Sequence, residues 1–108
     1  MFLRKRMPEP AIDFEAAGGV NAGRLERSLQ LHALRIGPGR YRIDGGAQLH
    51  WVDLYTASHP RCDCGDHLWR DQVCKHILAA LLREGDERVF AALRELIAGL
   101  RSGHRVAA

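Results

Sequence analysis

Between Arg61 and Leu82 the chain reads RCDCGDHLWRDQVCKHILAALL, and this stretch holds all three cysteines, Cys62, Cys64 and Cys74, with His76 two residues after the last. Cys-x-Cys, nine residues, Cys-x-His supplies three thiolate sulfurs and one imidazole nitrogen, a complete tetrahedral shell for one zinc ion. Four protein ligands leave no open position for a substrate water, so the zinc is expected to be structural. The spacing constrains the fold at both ends. In extended backbone, side chains two apart share a side, so Cys62 and Cys64 can reach one metal from the end of a strand or hairpin. On a regular helix, residues two apart point away from one another, which puts Cys74 at or just before a helix start and His76 in its first turn. Ile77, Leu78, Leu81 and Leu82 then recur at helical spacing. The free N–H groups and positive end of that helix favour thiolates.

Other chemistries of the same residues fit less well. Three cysteines cannot all pair in disulfides within one chain. Cys74 and His76 as nucleophile and base would have poor geometry at a two-residue spacing, with no third group to orient them. His59 and His67 are substitute ligands in principle, but the set is complete without them, and both are expected to be solvated loop histidines. No paired carboxylates or phosphate-binding glycine loop point to an enzyme.

The residues Cys62-Asp63-Cys64 and Cys74-Lys75-His76-Ile77-Leu78-Ala79-Ala80-Leu81-Leu82 resemble the SWIM-type zinc finger, including the Cys-Lys-His and the aliphatic helix behind it. Strands ahead of the first Cys-x-Cys are usual in that family, and Tyr41-Arg42-Ile43-Asp44 and His50-Trp51-Val52-Asp53-Leu54 look like them. The likeness runs from about Leu31 to Gly85. It departs at Gly65, where many members carry proline. Such domains occur in Mutator-like transposases, bacterial remodelling ATPases, ubiquitin ligases and recombinase-partner proteins, so the resemblance implies a zinc-binding module that contacts DNA or protein.

A chain of 108 residues has the length of one domain with a small core, where a structural metal contributes on the order of 10 kcal/mol or more. No apolar run approaches membrane-spanning length, and MFLRKRMPEP lacks the apolar segment of a secretory signal, so a cytoplasmic protein is expected, with reduced cysteines available to zinc. The formal charge is +3, and three thiolates on one divalent ion lower it, so composition alone does not establish nucleic-acid binding. Of the 16 basic residues, 14 are arginine, the side chain suited to bidentate phosphate or base contacts; a GC-rich genome gives the same bias.

Residues 1–19 read as a flexible basic leader carrying Arg4-Lys5-Arg6, with Ile12 and Phe14 able to dock on the body. Residues 20–108 read as a single domain whose zinc-finger core is 49–85. Asn21 is a good N-cap, and Val20 can staple to Leu25, which predicts a helix over 22–30 with Leu25 and Leu29 on its apolar face. From Leu31 the period becomes two. Leu34 and Ile36 alternate with Ala33 and Arg35, Gly37-Pro38-Gly39 turns, Arg40–Asp44 forms a strand with Tyr41 and Ile43 on one face, Gly45-Gly46 turns again, and Leu49–Tyr55 returns. Gly85 stops the zinc helix, Asp86 caps another, and Val89, Phe90, Leu93, Leu96, Ile97 and Leu100 give that last helix a broad apolar face for packing across the first helix and the sheet.

The fold class expected is therefore small α+β: an N-terminal helix, a three-stranded antiparallel sheet, a zinc finger leading into a helix, and a C-terminal packing helix. Candidate nucleic-acid contacts are Arg35, Arg40 and Arg42 as a stripe on the sheet, with Arg61, Arg70 and Lys75 around the finger. These side chains equally serve to solvate the outer face or to offset the zinc–thiolate charge. His50 or Trp51 could lie beside the stripe, although Trp51 is expected in the core; Trp69, between the ligand pairs, could cover the metal. The function expected is non-catalytic nucleic-acid binding, DNA foremost, with no small-molecule substrate and no membrane. The competing class is a protein-interaction adaptor of a larger complex, with docking or homo-oligomerisation through the last helix.

Overall fold

A computed structural model describes residues 12, 14, 19–55, 60–64 and 73–101. Among these the elements run α1 (Ala22–Ser28), β1 (His32–Gly37), β2 (Arg40–Asp44), β3 (His50–Asp53), β4 (Arg61–Cys62), α2 (Lys75–Glu84) and α3 (Glu87–Arg101). Most of the expected leader, 1–19, and the loop holding His67, Trp69 and Arg70 fall outside the described residues, as does His59.

Asn21 caps α1 by accepting the Arg24 N–H at 2.9 Å, and Val20 packs against the core that holds Leu25, as the staple predicts. The helix ends at Ser28, two residues short of the expected end. Leu29 stands at the C-cap, 51% exposed, so it leaves the expected apolar face. Ser28 is buried instead, its hydroxyl satisfied by the Leu25 carbonyl at 2.5 Å.

The sheet has four strands, not three, all antiparallel in the order β1-β2-β3-β4. The addition is β4, where Cys62 pairs with Val52 and Arg61 with Asp53, so the first zinc-finger cysteine is itself part of the sheet. Too short for an alternation pattern, β4 is made by its neighbour. At the β1–β2 turn Gly39 has φ +67, and a Cβ there would lie 2.0 Å from the Tyr55 ring; only glycine suits both demands.

Register decides which face each residue takes. Tyr41 pairs with Val52 and with Arg35, and Ile43 with His50 and Ala33, so these side chains share the inner face. Arg42 pairs with Trp51 and Leu34 on the outer face, and β1 slips register at Ile36. The expected stripe is thus divided: Arg40 and Arg42 face outward while Arg35 falls on the tyrosine side. Trp51 is 50% exposed, not core, because its partner Arg42 already faces out.

Helix α2 lies on the inner face and touches every other described element. Its Ile77, Leu78 and Leu81 meet Tyr41, Ile43, Val52 and Leu54 of the sheet layer, with Leu25, Val89 and Leu96 completing the core. Because α2 occupies that face, α3 packs on α1 and α2 and not on the sheet, contrary to the sequence expectation. Asp86 caps α3 through the N–H groups of Arg88 and Val89 at 2.9 and 3.3 Å. Arg88 in turn grips the Asp86 carboxylate, donates to the Ile12 carbonyl at 2.9 Å and lies 4.9 Å from the Phe14 ring centre, which docks those two leader residues as expected. Among the described residues the outer sheet face has no such cover: Leu34, Ile36 and Trp51 are 44%, 50% and 50% exposed.

Candidate metal centre

The two halves of the site arrive from opposite layers. Strand β4 ends at Cys62, and extended backbone carries Cys64 to the same side. Cys74 is the N-cap of α2, its Sγ accepting the Ile77 N–H at 3.5 Å, and His76 sits in the first turn. Sheet end and helix start meet so that one ligand atom from each of Cys62, Cys64, Cys74 and His76 lies within 4.8 Å of the others. All four residues are buried, and none of the cysteines is in a disulfide.

The electrostatics of the cluster are those of a cation site. Hydrogen bonding from Cys62 outweighs the burial that would raise the Cys74 thiol, and with help from His76 and the Ile77 N–H it holds Cys74 well below the usual thiol range. Cys62 moves the opposite way, raised by its hydrogen bond to Cys74 and by burial. The buried Nδ1 of His76 has no hydrogen-bond partner among the described residues. Three buried sulfurs gathered with an imidazole that has an orphaned nitrogen suit a divalent soft-to-borderline ion, which would replace the shared thiol proton. When bound, zinc would be held by these four side chains and would supply cross-linking between sheet and helix.

Two residues beside the cluster carry no metal-ligand pattern in the sequence. His50, at the start of β3, lays its ring 4.2 Å from that of His76, tilted by 43°, and its Nδ1 is 2.9 Å from Asp63. Asp63 stands between the first two cysteines. Burial pushes its carboxyl up, but the Trp51 N–H at 3.1 Å and the His50 ring outweigh that and hold it below the ordinary carboxylate range. Asp63 thereby clips the Cys-x-Cys segment to β3, and with His50 and Cys62 forms a second donor group. The available signal was parity: in extended backbone the residue between two inward cysteines must point out.

The described candidate basic residues take different places in the fold. Arg61 is exposed beyond Cys62 and opposite in direction, Lys75 is half-buried as the first residue of α2, and Arg70 lies outside the described residues. Arg40 contacts Asp53 at 3.5 Å. Arg35 acts near the tyrosines, where it opposes the rise that burial and Glu84 impose on both hydroxyls.

A family model described as the SWIM zinc finger matches residues 50–85, a third of the chain, from β3 through the stop of α2. The match and the Cys3His cluster together point to one structural zinc ion. No curated protein and no solved structure matches the chain.

Proposed function

We propose that this zinc-built module binds nucleic acid, DNA foremost, in a non-catalytic role, using the outer face of its sheet. One observation carries the reading. Trp51, half exposed, stands directly across from Arg42 on a face that also bears Arg40 and Arg61. An aromatic plane beside guanidinium groups offers stacking and phosphate contact together. Arg35 is excluded by its face, and Lys75 belongs to the helical layer. Zinc would stiffen this surface rather than touch the ligand, since β4, which presents Arg61, also carries Cys62, and β3, which presents Trp51, pairs with it. On this reading the protein works in the cytoplasm, where its thiols stay reduced; no described helix is long and apolar enough to cross a membrane.

Retention of labelled DNA and RNA by the zinc-loaded protein, followed from low ionic strength upward, tests the proposal. Binding should weaken steeply with salt, and replacing Arg42 and Arg61 by alanine should weaken it further and flatten the salt slope. Absence of salt-sensitive retention of any nucleic acid rejects it.

A second reading, a protein adaptor, is favoured by α3. Its Ile97 and Leu100 are 42% and 62% exposed at the end beyond the packed core. Docking to a larger protein, or self-association, through that apolar end would be insensitive to salt. Concentration-dependent assembly abolished by Leu100→Glu would support it.

A further inference from the structure

We propose that a groove across the outer sheet face receives one unstacked nucleobase that carries an exocyclic amino group, while the sugar–phosphate chain passes over the arginines at its rim. This rests on the nucleic-acid reading above and adds the class of ligand and the way it sits.

The groove has a volume of about 410 Å³ and takes residues from all four strands. Ile36 of β1 and Trp51 of β3 give it apolar walls, and Arg40 and Arg61 border it from β2 and β4. Two acidic residues border it as well, Asp53, whose carboxylate is held by Arg40 and the Tyr55 N–H, and Asp63. Their presence decides what can occupy the space. A phosphate in the groove would meet two anions, whereas a base is uncharged, planar and able to stack on the indole. The three described hydrogen bonds to the Asp63 side chain, from the Trp51 N–H, the His50 ring and the Cys62 Sγ, all use Oδ1, and the side chain is 49% exposed. Oδ2 takes no partner among the described residues, so an acceptor stands ready beside the stacking surface. Carboxylates accept from amino groups such as the cytosine N4, and thymine presents a carbonyl oxygen at that position. In a duplex both faces of the base are covered by its stacked neighbours and cannot lie on the indole, so the groove selects a single strand.

The test compares oligo-dC, oligo-dT and a duplex of equal length at low ionic strength, by fluorescence anisotropy with the zinc-loaded protein. Wild type, Trp51→Ala and Trp51→Phe are measured side by side, and metal content verifies that each variant is folded. Oligo-dC should bind about tenfold or more tighter than the duplex and measurably tighter than oligo-dT. Trp51→Ala should lose about tenfold of oligo-dC affinity, and Trp51→Phe should keep most of it. If nucleic acid is bound but the duplex or oligo-dT binds as well as oligo-dC, or Trp51→Ala matches wild type, the base groove is overturned and the nucleic-acid reading survives. If no strand or duplex shows salt-sensitive binding, both fall.

Discussion

The imidazole of His50 lies against that of His76, 4.2 Å between ring centres, while its Nδ1 reaches Asp63 at 2.9 Å. A metal ligand is thus braced by a residue of β3, and that residue is fixed by the side chain between the first two cysteines. Outer partners of this sort set ligand orientation and typically account for 10–100-fold in metal affinity. Asp63→Ala removes both the His50 contact and the clip to the Trp51 N–H, so it should weaken zinc binding by about tenfold or more in competition with a chromophoric chelator. An unchanged affinity would mean that the Cys-x-Cys segment holds its shape unaided.

Both tyrosines of the chain donate their hydroxyls to one carboxylate, Tyr41 to Glu84 Oε2 and Tyr55 to Oε1 at 3.1 Å, closing the sheet onto the last turn of α2. Burial and Glu84 raise both hydroxyls, Tyr55 to about 12 and Tyr41 beyond it. The native state therefore holds these protons more tightly than the unfolded chain, whose tyrosines titrate near 10. By linkage the resulting stability is complete below about pH 10 and is lost as pH rises through 12 and above. Tyrosinate absorbance should show almost no ionisation at pH 10 in the native protein. Glu84→Gln, which removes the anion, should bring the titration down towards 10.

Gly39 tests the turn that sets the register of β1 on β2. Alanine there would have to adopt φ +67 and would drive its Cβ into the Tyr55 ring. Gly39→Ala should destabilise by about 1–3 kcal/mol in denaturant melts. Gly46→Ala, where the nearest non-neighbour atom to a Cβ is 3.9 Å away and φ is not positive, should cost much less. Equal costs would contradict the steric account.

The sequence was informative where one residue type leaves few choices. Four metal donors at fixed spacing announced the cluster, Asn21 and Asp86 marked helix starts, Gly85 with φ +89 marked a stop, and Arg40–Asp44 is the strand its alternation predicts. Face assignment failed in β1 for a physical reason. Leu34 and Ile36 are more apolar than Ala33 and Arg35, so alternation alone turns them inward. Pairing overrides this, because β2 must bury Tyr41 and Ile43 and thereby draws Arg35 and Ala33 to the inner face. Trp51 follows the same parity. The β4 pairing and the braces from His50 and Asp63 depend on contacts across the fold, for which no local pattern exists.

Loss of any one sulfur should be felt by the whole domain, because the ion joins β4 to α2 and α2 contacts every other described element. Cys64→Ser should abolish cooperative thermal unfolding or lower its midpoint sharply, with circular dichroism moving in the direction of the chelator-treated wild type. A variant that keeps the wild-type melt would make the metal incidental to the fold.

Native mass spectrometry of the reduced protein addresses the central claim most directly. One zinc per chain is predicted, retained through dialysis, absent from the Cys64→Ser and His76→Ala variants, and lost from wild type only together with its folded structure. A folded, reduced protein that carries no metal, or that keeps its zinc when these ligands are replaced, would contradict the account.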